Sequence, residues 1–160
     1  MKSNVLHAIA VAATLYIASA NAAAPVKPYI ALTAAKSAVT EVMEPSAGKS
    51  GVQLVVSVVD EGGNLIYLER ADGAPYAMVE ASIMKARSAA GYGVSTKVIE
   101  QEIVKGNPGF QNLPGVLPME GGSPVVIEGT LVGAVGVAGG VSADDGVVAQ
   151  KMATILSKSR

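Results

Sequence analysis

From Val52 to Asp60 the chain reads VQLVVSVVD, β-branched and apolar at odd and even positions alike. A strand of this kind has no face to offer water and needs cover on both sides. Glu61-Gly62-Gly63-Asn64 follows, and Gly-Gly supplies the positive φ that a tight hairpin requires. LIYLER (Leu65–Arg70) then returns as the partner strand. A second pair is expected further on, Val125–Ile127 with Leu131–Val137, joined by a turn at Glu128-Gly129-Thr130. In the last of these strands Val132, Ala134, Gly136 and Ala138 fall on one face, small enough to let a helix lie close.

Helical patterns surround the two hairpins. TAAKSAVTEVM (Thr33–Met43) sets Ala35, Val39 and Val42 on one stripe, with Lys36, Thr40 and Glu41 turned away. Pro45 stops that helix and Ser46–Gly51 reads as a polar turn. After Arg70, Asp72 is expected to cap a helix opened by Pro75, with Val79, Ile83, Ala86 and Ala90 inward and Gly91 at its end. A shorter helix is capped by Ser95 and ends at Gly106. A last helix is capped by Ser142, with Asp144 and Asp145 in its first turn. Strands paired as hairpins with helices packed on them make an α+β domain, mostly antiparallel.

The first residues have a different character. Lys2 precedes an apolar run from Val5 to Ala18, and Ala20-Asn21-Ala22 has the small residues of a cleavage site. Residues 1–22 are therefore expected to be a signal peptide, and 23–160 a single domain, periplasmic or secreted. The run is shorter than a spanning helix needs, so no membrane segment is expected after leader removal. The chain has no cysteine, and its one histidine, His7, lies in the leader. Losing Lys2 leaves 11 basic against 13 acidic residues, a formal charge of −2. Without clustered Lys and Arg there is no nucleic-acid surface to expect.

Gly106–Pro124, GNPGFQNLPGVLPMEGGSP, follows neither a helical nor a strand period. Phe110, Leu113, Val116, Leu117 and Met119 make it too apolar for a solvated linker. It is expected to roof a pocket and to lie near an oligomer contact.

Among polar groups, Arg70 and Lys85 stand out as cations. Lys85 lies among Ala81, Ser82 and Ala89, which leaves room for an anionic ligand. The same residues also fit ordinary ion pairs, Arg70 with Glu69, Asp72 or Glu80, and a snorkelling Lys85. Lys85 and Glu120 are the candidates for catalytic acid or base work. Asp60, Glu61, Asp144 and Asp145 match no ordered metal-ligand spacing, so no metal is expected. The glycines from Gly133 to Gly140 read as close strand packing rather than a phosphate cradle.

VVDEGGNLIYLERADGAP, then MKARSAAGYG, then EGTLVGAVGVAGG with two following aspartates, resembles the GlcG/HbpS-like family over about Leu32 to Leu156. That family includes secreted haem-binding proteins and the C-terminal domain of a corrinoid adenosyltransferase. The resemblance implies a profilin-like fold, an antiparallel sheet flanked by helices, and a homo-oligomer. It also implies a small-molecule ligand, with haem as the family's best-known cofactor. From the residues themselves, Arg70 and Lys85, with Phe110 and Met119 of the loop, are the candidates to hold it. The chain departs from the commonest haem chemistry, because without cysteine, and with His7 in the leader, only Tyr, Met, Lys or no protein ligand at all remain, the last leaving apolar contacts and a propionate clamp. Tyr76, Tyr92 and Met119 are the residues to watch. An acid–base enzyme acting on a small carbonyl or carboxylate compound, and an assembly protein without a ligand, are the alternatives.

Overall fold

The computed structural model describes residues 26–43 and 53–159. The expected leader and the turn after Pro45 lie outside the described residues.

Helix α1 (Leu32–Met43) buries Ala35, Ala38, Val39 and Val42, the expected stripe with one alanine added. Strand β1 (Val55–Asp60) has five buried residues in succession, as its two-sided apolar pattern requires. It pairs antiparallel with β2 (Leu65–Arg70). Strands β3 (Gly122–Ile127) and β4 (Thr130–Ala138) form the second hairpin. Its two-residue loop has Glu128 at φ 50° and Gly129 at φ 77°, the double positive φ that suits the twist of a tight hairpin. The hairpins join through β1 and β4, which gives an antiparallel sheet of order β2-β1-β4-β3.

The sheet is covered on both faces. Val56, Val58, Val135 and Val137 pack on α1 and on α4 (Ser142–Lys158), chiefly against Val39, Met152 and Leu156. Val59 and Ala134 on the other face meet Ala86, Ala89 and Ala90 of α2 (Ala77–Tyr92). The α+β domain with helices flanking an antiparallel sheet is therefore present. Val132 departs from the expected face and packs with Val135 and Val137, because the β3–β4 register shifts between Val125 and Val126.

Several helix ends differ from the sequence pattern. Asp72 does not cap α2, because it belongs to an earlier turn in which the Ala74 N–H bonds to the Ala71 carbonyl. The helix begins only at Ala77, after a further turn through Pro75 and Tyr76. It runs past Gly91 and ends at Gly93, whose φ of 66° supplies the left-handed residue a helix end favours. Ser142 is the first residue of α4 rather than its cap, and the N-cap position is Val141. Ser95 does hold the N-cap position of α3 (Thr96–Val104), although its side chain makes no capping bond. The long loop carries a 3-10 turn, Pro108–Asn112, and its last three residues already belong to β3.

Asp60 closes the first hairpin. One carboxylate oxygen accepts the N–H groups of Gly62 at 2.9 Å and Asn64 at 2.8 Å, and the Asn64 amide reaches the other at 3.0 Å. Its role is that of a turn residue. The Asn64 side chain, with its backbone N–H, holds the Asp60 carboxyl below the usual carboxylate value. A carboxyl with a depressed folded pKa contributes stability above its unfolded value, about 3.9, and loses it as pH falls through the folded value. Asp60→Ala should therefore lower stability by about 1 kcal/mol at neutral pH. The gap between variant and unmodified protein should close below about pH 4 in urea melts taken across the acid range.

Candidate functional site

The long loop is fastened to α2 and α3 by four side chains spaced four residues apart. Ser88 Oγ accepts the Leu117 N–H at 2.8 Å, and the Tyr92 hydroxyl donates to the Pro114 carbonyl at 2.9 Å. Thr96 Oγ1 accepts the Gly122 N–H and a Glu100 carboxylate oxygen the Glu120 N–H, both at 2.8 Å. An apolar, proline-stiffened segment is thus held against the helical layer at 114, 117, 120 and 122, with three of its N–H groups given side-chain acceptors.

Where the loop meets α3 and the start of α4, Glu120 turns its carboxylate inward. It is 14% exposed and pairs with Lys97 Nζ at 2.9 Å, Lys97 being 53% exposed. Two clefts share these residues. One of about 300 Å³ also has Ser95, Ser123, Gly146, Val147 and Gln150 in its wall. The other, about 610 Å³, adds Glu100, Gln101, Val104, Lys105, Ser142 and Ala143. Val104, Val147 and Val141, the residue before Ser142, are more than two-thirds exposed. Exposed valines stand beside hydroxyl, amide, ammonium and carboxylate groups along both clefts. Small-molecule sites combine apolar area with a few fixed polar groups in this way, in volumes of roughly 300–1,000 Å³.

The residues singled out from sequence do not converge on one place. Arg70 ends β2 and is exposed, opposite Val55 in the register. Lys85 is 3% exposed and fully engaged. Its ammonium donates to Asp145 at 2.9 Å and to the Val137 carbonyl at 3.0 Å, and Asp145 is itself 2% exposed. The open cation expected there is an internal ion pair tying α2 to α4. Phe110 lines a separate cleft of about 420 Å³ with Pro108 and Leu113. Met119 is half-exposed beside Glu120, and Tyr76 is open to solvent. Of the expected site residues, Glu120 alone faces the shared groove.

A larger cleft of about 690 Å³ lies between residues 26–34, the β3–β4 turn and the end of α4. Its Lys27 pairs with Glu61 at 2.6 Å, and none of the expected site residues reaches it. Among the described residues no group of three or more His, Cys, Asp or Glu is placed to hold a metal. No helix among them is long and apolar enough to cross a membrane.

Lys97, Glu100 and Gln150 carried no sequence signal, since each looks like one polar residue on a solvated helix face. Gly146 did carry one. A glycine inside a helix is unfavourable, and its absent side chain leaves the space that Glu120 fills.

Comparison with known proteins places this architecture. Protein GlcG of Escherichia coli strain K12 is 36% identical over 101 residues, 63% of this chain and 75% of that protein. The crystal structure of Klebsiella pneumoniae protein ORFY matches with a TM-score of 0.75 at 32% identity, covering 88% of this chain and 98% of the other. A double mutant of Streptomyces reticuli HbpS matches with a TM-score of 0.72 at 31% identity, over 84% and 98% of the two chains. Residues 30–154 match the family described as haem degrading protein HbpS-like. The chain belongs to the HbpS-like family.

Proposed function

We propose that this is an exported, homo-oligomeric protein that binds a flat, amphipathic small molecule, haem being the foremost ligand, in the groove around Lys97 and Glu120. The observation that carries the reading is the groove itself, with exposed Val104 and Val147 beside its polar groups. The family's description as haem degrading supports haem as the ligand. The basic residue, apolar run and Ala-Asn-Ala of residues 1–22 support export. With no cysteine in the chain and its one histidine at position 7, the ligand would be held by apolar contact and by charge rather than by the commonest axial bonds.

The test is a haemin titration followed by absorbance, on protein recovered from the periplasmic fraction, where its mass also reads the cleavage site. A saturable Soret shift is expected. Val104→Asp, which sets a charge among the exposed valines, should weaken binding at least tenfold. Arg70→Ala should leave it unchanged. A shift lost in Arg70→Ala moves the site to the exposed end of β2. No shift beyond nonspecific background removes haem and leaves small acids and carbonyl compounds as ligands. Protein that stays in the cytoplasm at its full-length mass removes export.

A further inference from the structure

We infer that Lys97 is the anchor for a carboxylate on the ligand, and that Glu120 is a built-in carboxylate holding that place while the groove is empty. The inference rests on the groove being the ligand site.

Among the described residues Lys97 Nζ bonds to Glu120 alone, at 2.9 Å. The two residues are common to both clefts, so their ion pair forms the waist between them. A molecule long enough to use both volumes has to pass that waist. One with a carboxylate does so by exchange, replacing the Glu120 carboxylate on Lys97 with its own. The ammonium keeps an anionic partner throughout, so the exchange loses no ion pair.

Glu120 is built to make this exchange with its side chain alone. Its backbone N–H is held by Glu100 at 2.8 Å, and the next residue's carbonyl accepts the Val137 N–H at 2.8 Å. The carboxyl group rests in a notch on α4 at Gly146, where an added Cβ would stand 2.6 Å from Glu120 Cδ. Gly146 is not in a left-handed conformation, so the backbone gives no reason for glycine. The notch does. On release the carboxylate swings towards solvent through side-chain rotations, away from the neighbouring Glu100.

Lys97 and Glu120 therefore select the ligand's charge, while the exposed valines accept its apolar body. The preferred class is an extended or flat apolar molecule with at least one carboxylate, and its uncharged ester is disfavoured.

The test compares metal-free protoporphyrin IX, which has two carboxylates, with its dimethyl ester, by fluorescence titration. Glu120→Gln keeps the shape and removes the competing charge. It should bind the acid about two- to fivefold tighter than the unmodified protein, the range for freeing a partly exposed ion pair, and keep the preference for the acid over the ester. Gly146→Ala should shift acid binding the same way, by displacing the Glu120 carboxylate from its notch. Lys97→Met should reduce acid binding to the level of the ester. Acid binding no tighter in Glu120→Gln, or a preference for the acid that survives Lys97→Met, overturns the inference. If haemin still binds the unmodified protein, only the anchor falls. If neither haemin nor the porphyrin binds any of the proteins, the ligand reading falls with it.

Discussion

Lys85→Met will destabilise the protein by about 3–5 kcal/mol, the usual consequence of removing one partner from a buried ion pair. The Lys85 ammonium and the Asp145 carboxylate are 2.9 Å apart, with 3% and 2% of their side chains exposed. Methionine fills the space of the lysine stem but leaves Asp145 with a buried charge that the Gly140 N–H, at 2.9 Å, and the start of α4 offset only in part. The Val137 carbonyl loses a donor as well. Against a total stability of about 5–15 kcal/mol this is a large fraction. Urea unfolding should show a lower midpoint with an unchanged slope. Lys85→Met combined with Asp145→Asn should recover most of the loss, because asparagine still accepts from Gly140 and carries no charge. A single-variant loss below about 1 kcal/mol would mean that water reaches the pair, since exposed pairs are worth no more than that.

This pair shows why the site was harder to read than the fold. Lys85 sits among Ala81, Ser82 and Ala89, and small neighbours around a cation suggest space for an anion. The small residues are there for another reason: the backbone of α2 runs directly against β3 and β4, and larger side chains would hold it off. Helical periodicity reports that a face is buried but not what lies opposite. The partner, Asp145, is 60 residues away and looks like an ordinary acid in the first turn of a helix. Glu120 was found because a lone acid in an apolar loop is unusual. Lys97 was not, because a lysine on a short amphipathic helix is expected to face water.

The hairpins were legible because their turns are local. Gly63 at φ 78° and the Glu128-Gly129 pair impose chain reversal within four residues, and the flanking β-branched runs have nothing else to do but pair. What the sequence did not specify is how the hairpins meet. The contact of β1 with β4 joins residues about 80 positions apart, and the apolar pattern of either strand would fit several neighbours. The start of β3 was missed for a related reason. Gly121-Gly122-Ser123-Pro124 reads as loop by composition, yet Gly122 is a strand residue kept small because the Lys85 carbonyl lies where its side chain would be.

Gly136→Ala should damage the seat of α2 on the sheet more than any other change at the β4 face beneath it. Gly136 pairs with Ser57 on one side and Gly122 on the other, so three small residues run in a row across the sheet beneath α2. A Cβ at Gly136 would overlap the Ser82 carbonyl and approach the Ala86 nitrogen to 2.7 Å. Both are backbone atoms of a regular helix, so no rotamer change relieves them and α2 has to rise. Overpacking of a tight core costs about 1–3 kcal/mol, and here the upper end is expected. Lifting α2 also lengthens the Lys85 bonds to Val137 and Asp145 and strains the hold of Ser88 on the loop. A loss near 3 kcal/mol would lower Tm by about 6–12 °C in a domain of this size, with amide exchange accelerated first in α2 and the loop. The same change at Gly146 makes the comparison. There the added methyl meets only a side chain, that of Glu120, which can rotate away, and helix propensity favours alanine by about 1 kcal/mol, so Tm should hold or rise. If both substitutions are tolerated equally, α2 is not seated on the sheet through Gly136, and the small residues of β4 serve some other purpose.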